Sequence, residues 1–192
     1  HAEWSEPVNM GPMVNSELYD NSRTVSSDGR LIIFHRSGQN GLNDLFYSEM
    51  TDTGWTLAQP FPEPINYPGI DEYPFLTRDD SRLYFSSNRP GSYGWNDIWY
   101  VDRDTITGEW FEPVHCDSPL NTTDWQGPMT VTGGHHKMYY NTGSILGPIA
   151  CATWDGERWG NIEHIGSIIV EWNEFHTTIT SDESELYFKR VT

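Results

Sequence analysis

The sequence predicts an all-β chain, a small β-propeller of four repeats of about fifty residues each, folded as one domain over 1–192. Three observations predict it. Aromatic residues make up 14% of the chain and charged ones only 20%, beside 17 Gly and 12 Pro, and no segment carries a long 3.6-residue apolar period. One hairpin pattern recurs four times. Two further strand signals follow it at matching offsets.

The hairpins read Thr24-Val-Ser-Ser-Asp-Gly-Arg-Leu-Ile-Ile-Phe34, Phe75-Leu-Thr-Arg-Asp-Asp-Ser-Arg-Leu-Tyr-Phe85, Thr130-Val-Thr-Gly-Gly-His-His-Lys-Met-Tyr-Tyr140 and Thr178-Ile-Thr-Ser-Asp-Glu-Ser-Glu-Leu-Tyr-Phe188. They begin 51, 55 and 48 residues apart (24 to 75, 75 to 130, 130 to 178). Each is a strand, a polar turn and an apolar strand. A third strand follows a Gly-rich turn in three copies: Asp44–Tyr47, Asp97–Tyr100 and Ile149–Ala152. A fourth is marked by Trp: Trp4–Val8, Trp55–Pro60, Trp110–Val114 and Trp159–Ile162. Four antiparallel strands per unit is the pattern of a propeller blade, which cannot bury both faces unless it stacks on its neighbours. The fourth copy lacks a third strand, and the first Trp strand stands alone. The expected closure is therefore circular, with the Trp4 strand completing the last blade. A five-bladed ring is the alternative.

The formal charge of −17 argues against a nucleic-acid partner, because phosphates would be repelled. No run of 18 apolar residues is present to insert in a membrane, and no signal peptide is visible. The composition leads us to expect an extracellular or periplasmic protein. The two cysteines, Cys116 and Cys151, allow one bridge in an oxidising compartment or two plain buried thiols.

The most regular copy runs from Asp71-Glu-Tyr-Pro-Phe-Leu-Thr-Arg-Asp-Asp-Ser-Arg-Leu-Tyr-Phe-Ser-Ser-Asn-Arg-Pro-Gly91 to Asn96-Asp-Ile-Trp-Tyr100. It resembles the WD40-like (PD40) repeat of TolB-type propellers. The resemblance covers nearly the whole chain and is weakest in the third copy, where Gly133-Gly-His-His136 replaces the acidic turn. It implies a propeller fold. The functions it implies range from protein-binding periplasmic propellers to sugar-processing enzymes, oligogalacturonate lyases among them.

In a propeller the innermost strands converge at one channel mouth. The aligned positions are Asp20-Asn21-Ser22-Arg23, Asp71-Glu72-Tyr73, Gln126-Gly127-Pro128 and Glu174-Phe175-His176. Asp20, Asp71, Glu174 and His176 are the candidate catalytic residues. A carboxyl pair about 5–10 Å apart suits glycoside cleavage. β-Elimination on an acidic sugar would use His176 or Tyr73 as base and Arg23 on the uronate. Substrate-binding candidates are Arg23, Glu72, Tyr73, Gln126, and Trp125 and Trp172, whose flat faces suit sugar C–H groups. The competing reading is that Asp20 and Asp71 cap turns. The turn acids Asp28, Asp79, Asp80, Asp182 and Glu183 read as structural, and Asp44 and Asp97 as turn-holding groups.

None of the seven histidines falls in a zinc spacing, and no EF-hand loop is present. A divalent cation such as calcium is suggested only by the charge. The periodic Trp4, Trp55, Trp110 and Trp159 read as packing residues. Asn121-Thr122-Thr123 is a glycosylation sequon. Three functions follow: a glycoside hydrolase or polysaccharide lyase acting at the mouth, a non-catalytic module binding a glycan or a protein, and a structural piece docking through the short last blade.

Overall fold

The computed structural model of the protein describes residues 5–38, 41–132, 134–143, 148–165, 174–180 and 184–190. Among them there is no helix, and the strands form four antiparallel sheets in a propeller-like arrangement. The first sheet holds β1 (Asp20–Val25), β2 (Leu31–Ser37) and β3 (Asn43–Thr51), with β4 (Gly54–Trp55) and β5 (Gln59–Pro60) both paired to β3. The second runs β6 (Asp71–Leu76), β7 (Arg82–Ser87), β8 (Asp97–Asp102) and β9 (Val114–His115). The third runs β10 (Gln126–Val131), β11 (Lys137–Thr142), β12 (Ile149–Trp154) and β13 (Trp159–His164). The last pair is β14 (Glu174–Ile179) and β15 (Leu186–Arg190). The first strands lie side by side in chain order, β1 against β6, β6 against β10 and β10 against β14.

The repeated hairpin has one chemical cause. Its first strand ends on a hydroxyl residue: Ser26, Thr77, Thr132 or Thr180. In every copy that residue's N–H donates to the carbonyl five positions on, at Leu31, Arg82, Lys137 and Glu185. Its Oγ accepts the N–H of the same residue. A Ser or Thr closing its own turn in this way fixes the reversal locally. Gly29, Asp80 and His135 supply the positive φ within three of these turns, at 72°, 59° and 58°.

The turns are also tied to one another. Asp80 accepts from the Ser27 N–H and hydroxyl of the preceding repeat, at 2.9 and 2.6 Å. Asp79 lies 3.3 Å from Nε2 of His135 in the next. Each first strand also carries a bulge, where the register slips between Asn21 and Arg23, Glu72 and Phe75, Pro128 and Thr130, and Phe175 and Thr178. A bulge adds local twist and re-aims side chains.

Strand alternation explains the packing. Leu31, Ile33 and Leu45 of the first sheet meet Leu83, Phe85 and Trp99 of the second. The opposite face of the second sheet, through Tyr84 and Ile98, meets Met138, Tyr140 and Trp159 of the third. The second sheet is thus buried on both faces. The core is a series of sheet-to-sheet layers.

The outer strands depart from the sequence expectation. Trp55–Pro60 is split into β4 and β5, and the Trp110 segment keeps only the Arg103–Trp110 bridge and β9. Pro60 and Pro113 bring no N–H to a ladder, which confines such segments to short edge pairing. The expected Trp4–Val8 strand is not formed where it is described. Ser5–Val8 lies in no strand and Val8 is 86% exposed, while Trp4 lies outside the described residues. Among the described residues β14 and β15 have no third strand that could pair with it.

Burial raises the Asp79 carboxyl, but hydrogen bonds from Thr77 and Ser81 outweigh this and hold it at about 2. A carboxylate with a depressed folded pKa contributes stability above its ordinary 3.8 and loses it as pH falls towards 2. Between those values an Asp79→Asn protein will show a shallower loss of unfolding midpoint than the wild type in thermal melts by circular dichroism.

Candidate functional site

The first residue of β1, β6 and β10 folds back onto the loop before it. Asp20 accepts the Ser16 N–H at 2.9 Å, Asp71 the Tyr67 N–H at 2.7 Å, and Gln126 the Thr122 N–H at 3.1 Å. The spacing is four residues in each case. An arginine occupies the remaining capacity of both acids. Arg36 Nε lies 2.5 Å from Asp20, and its Nη2 donates to Val14 O. Arg89 Nη2 lies 2.8 Å from Asp71, and the same guanidinium donates to Pro64 O and Ile65 O. Both guanidinium groups rest on aromatic rings, Arg36 over Phe34 and Phe46, Arg89 over Phe85 and Trp99.

Acid therefore accompanies arginine. In the third repeat, where the cap is the neutral Gln126, its cross-strand partner is Thr142. In the fourth, Glu174 stands in register with Arg190, as Asp20 does with Arg36. Asp71 is fully buried and Asp20 largely so. The geometry supports the turn-capping reading of Asp20 and Asp71, and both carboxylates are engaged by partners within the chain.

The mouth itself is organised by the next two positions. Glu72 is buried and accepts from Asn43 Nδ2 at 2.6 Å and from Asn96 Nδ2 at 2.9 Å. Its donors come from the first and second repeats. Burial pushes its carboxyl above the ordinary 4.5, against the pull of Asn43, Trp125 and Asn96. Tyr73 sits at the bulge of β6 with φ 55°, a costly conformation for a bulky residue and one that clusters at functional sites. Its ring meets His35 edge-on at 5.2 Å and Trp125 at 5.5 Å. Its N–H donates to His35 Nδ1 at 3.3 Å, and burial raises the phenol well above its usual range. Trp125 lies against Gly127, where any Cβ would come within 2.3 Å of the indole. Only Gly fits there.

Around this centre stand exposed aromatics on the loops at the same end of the strands: Tyr19 (67% exposed), Tyr67 (40%), Tyr93 (49%) and Trp95 (79%). They are four of the six strongly exposed aromatic side chains among the described residues; the other two are Phe111 and Tyr187.

The structure thus brings Glu72, Tyr73 and Trp125 together. Gln126 is buried behind them, its side chain spent on Thr122. Arg23 does not join them. It is exposed and lines, with Asp20 and Asn21, a separate cavity of about 310 Å3 against Val8–Met10. Glu174 and His176 are placed by backbone alone, at the β14 positions matching Asp71 and Tyr73. Trp172, Asp182 and Glu183 lie outside the described residues.

Residue-type reasoning missed His35, Asn43 and Asn96. A signal was present: Asn43-Asp44 and Asn96-Asp97 open the third strand in two repeats. The acids of those dipeptides differ. Asp97 accepts the Tyr93 N–H and bonds His115 at 2.7 Å, holding its loop. Asp44 is raised by burial and by Asp71.

Two further sequence features resolve. Asn121 of the sequon is buried, donates to Ile98 O and Cys116 O, and accepts from Ile98 N. Asn66 does the same for Leu45 and Phe61. The sequon asparagine is a structural clip, closed to a glycan in the folded chain. Cys116 and Cys151 are free thiols, and burial drives the Cys116 thiol strongly upward. Among the described residues no group of three or more His, Cys, Asp or Glu side chains is arranged to hold a metal ion.

No protein-family model matches this chain, and no curated protein matches it.

Removing Arg89 leaves the Asp71 charge buried without its partner. Arg89→Ala will lose about 3–5 kcal/mol of unfolding free energy in urea titrations, with no comparable loss in Arg23→Ala. The Glu72 carboxyl carbon, followed by 13C NMR, will titrate with a midpoint above 4.5.

Proposed function

We propose that this chain is a four-bladed β-propeller module, secreted or periplasmic, that binds a carbohydrate at the channel mouth without turning it over. One observation carries the reading: the loops at one end of the inner strands present Tyr19, Tyr67, Tyr93 and Trp95 to solvent around the half-buried Tyr73 and Trp125. Flat aromatic faces with a polar edge suit sugar rings, whose C–H faces stack while their hydroxyls reach polar groups. The engaged state of Asp20 and Asp71 favours binding over hydrolysis, since a carboxylate held by arginine and a loop N–H is poorly placed to move a proton. Four repeats of the same closed hairpin, with inner strands side by side, support the blade count.

The enzymatic reading is supported by one group. Glu72 has its carboxyl raised by burial, the condition for a general acid.

The test is a panel of neutral and acidic polysaccharides, read by affinity electrophoresis and calorimetry for binding, and by reducing ends and absorbance of unsaturated products for turnover. A bound glycan with no product is expected, and Trp95→Ala or Tyr93→Ala will weaken it roughly tenfold, about 1.4 kcal/mol. Product formation lost in Glu72→Gln, with binding kept, would decide for the enzyme. Failure of every glycan to bind would overturn both readings.

A further inference from the structure

We propose that the opposite end of the inner strands is a second binding site, selective for a small carboxylate with an apolar body. A cavity of about 350 Å3 lies there, where β1, β6, β10 and β14 end. It takes residues from all four repeats, and its chemistry differs from that of the mouth. Its walls hold a guanidinium and hydroxyls over an apolar floor. Among the described residues no acidic side chain lines it, in a chain with 28 acids and 11 Lys and Arg.

The cation is Arg78. Its Nη2 donates to Ile179 O at 3.2 Å, a bond that reaches from the second repeat to the fourth. That bond positions the guanidinium at the cavity while using one of its five N–H donors. A planar fork fixed at one point is pre-organised for a carboxylate. Thr24 adds a donor. Its Oγ1 accepts the Leu76 N–H at 3.1 Å, which leaves the hydroxyl hydrogen for a ligand. Thr130 and Thr178 bring two more hydroxyls to the same wall.

Acids near Arg78 in sequence are hydrogen-bonded within the hairpin turns. Asp28 is held by Ser26 Oγ and the Arg30 N–H, Asp79 by Thr77 and Ser81, and Asp80 by the Ser27 N–H and hydroxyl. Each of these carboxylates thereby has partners other than the guanidinium. The floor is Phe75, Leu76 and Ile179. It matches a hydrocarbon body, and the volume is at the small end of ligand pockets. An aromatic or short aliphatic monocarboxylate fits these terms; a bare inorganic anion would leave the apolar floor unused.

The test uses benzoate, its uncharged isostere benzamide and inorganic phosphate as probes, with methyl-resolved NMR of the whole chain. Benzoate is expected to give saturable shifts at the Thr24, Thr130, Thr178 and Ile179 methyls, at least tenfold weaker in Arg78→Ala and unchanged in Trp95→Ala. Thermal melts establish that Arg78→Ala is folded. Should its loss of the Ile179 bond prevent folding, the benzamide comparison in the wild type decides. Benzamide or phosphate binding as tightly as benzoate would overturn the assignment, as would benzoate affinity unchanged in a folded Arg78→Ala. No saturable shift at these methyls would also overturn it. The Trp95→Ala arm separates this site from the glycan reading of the mouth, so either can fail alone.

Discussion

In three repeats the side chain that opens the inner strand closes the loop that leads into it, and most of the mouth depends on that contact. Asp20, Asp71 and Gln126 each accept an N–H four residues back. That bond gives the loop amide an acceptor inside the chain and fixes the approach to the strand. An acid at the position then needs a counter-charge. Arg36 and Arg89 supply it from different sequence positions, yet each also binds the carbonyl of the aliphatic residue at the same point of the loop, Val14 or Ile65. The third repeat uses a carboxamide and no arginine. Charge at this position is optional, while hydrogen-bond acceptance occurs in each of the three.

This constraint changes how the mouth is read. Carboxylates aligned at one end of the strands resemble a catalytic constellation, but Asp20 and Asp71 are hydrogen-bonded inside the chain. The chemistry open to a ligand comes from residues that the repeat does not prescribe. Glu72 takes donors from two repeats, Tyr73 adopts a left-handed conformation at a bulge, and Trp125 is seated on Gly127. These residues differ from copy to copy. Periodic positions build the stack of sheets, and the aperiodic ones give the mouth its character.

The hairpins were legible because their cause is local. A Ser or Thr before an Asp-Gly or Asp-Asp turn closes a reversal through atoms within five residues, so Ser26 and Thr77 can be read directly from the chain. The outer strands were less legible. The Trp signal marked packing residues correctly, since Trp159 is buried and Trp55 and Trp110 pack on the core, but it overstated pairing where Pro60 and Pro113 interrupt the ladder. The sequon pattern is set by Asn121 and Thr123, whereas the role of Asn121 in the fold is set by Ile98 and Cys116.

By itself the sequence determined an all-β chain, a fourfold hairpin repeat and the alignment that brings Asp20, Asp71, Gln126 and Glu174 to one end of the strands. Those features follow from spacing and turn chemistry, which act over a few residues. Only the tertiary structure decided which of the aligned groups are engaged. Arg89 reaches Asp71 across 18 positions, Asn43 reaches Glu72 across 29, and Arg78 reaches Ile179 across 101. Such contacts depend on how one sheet is turned against the next, and no local pattern encodes that angle.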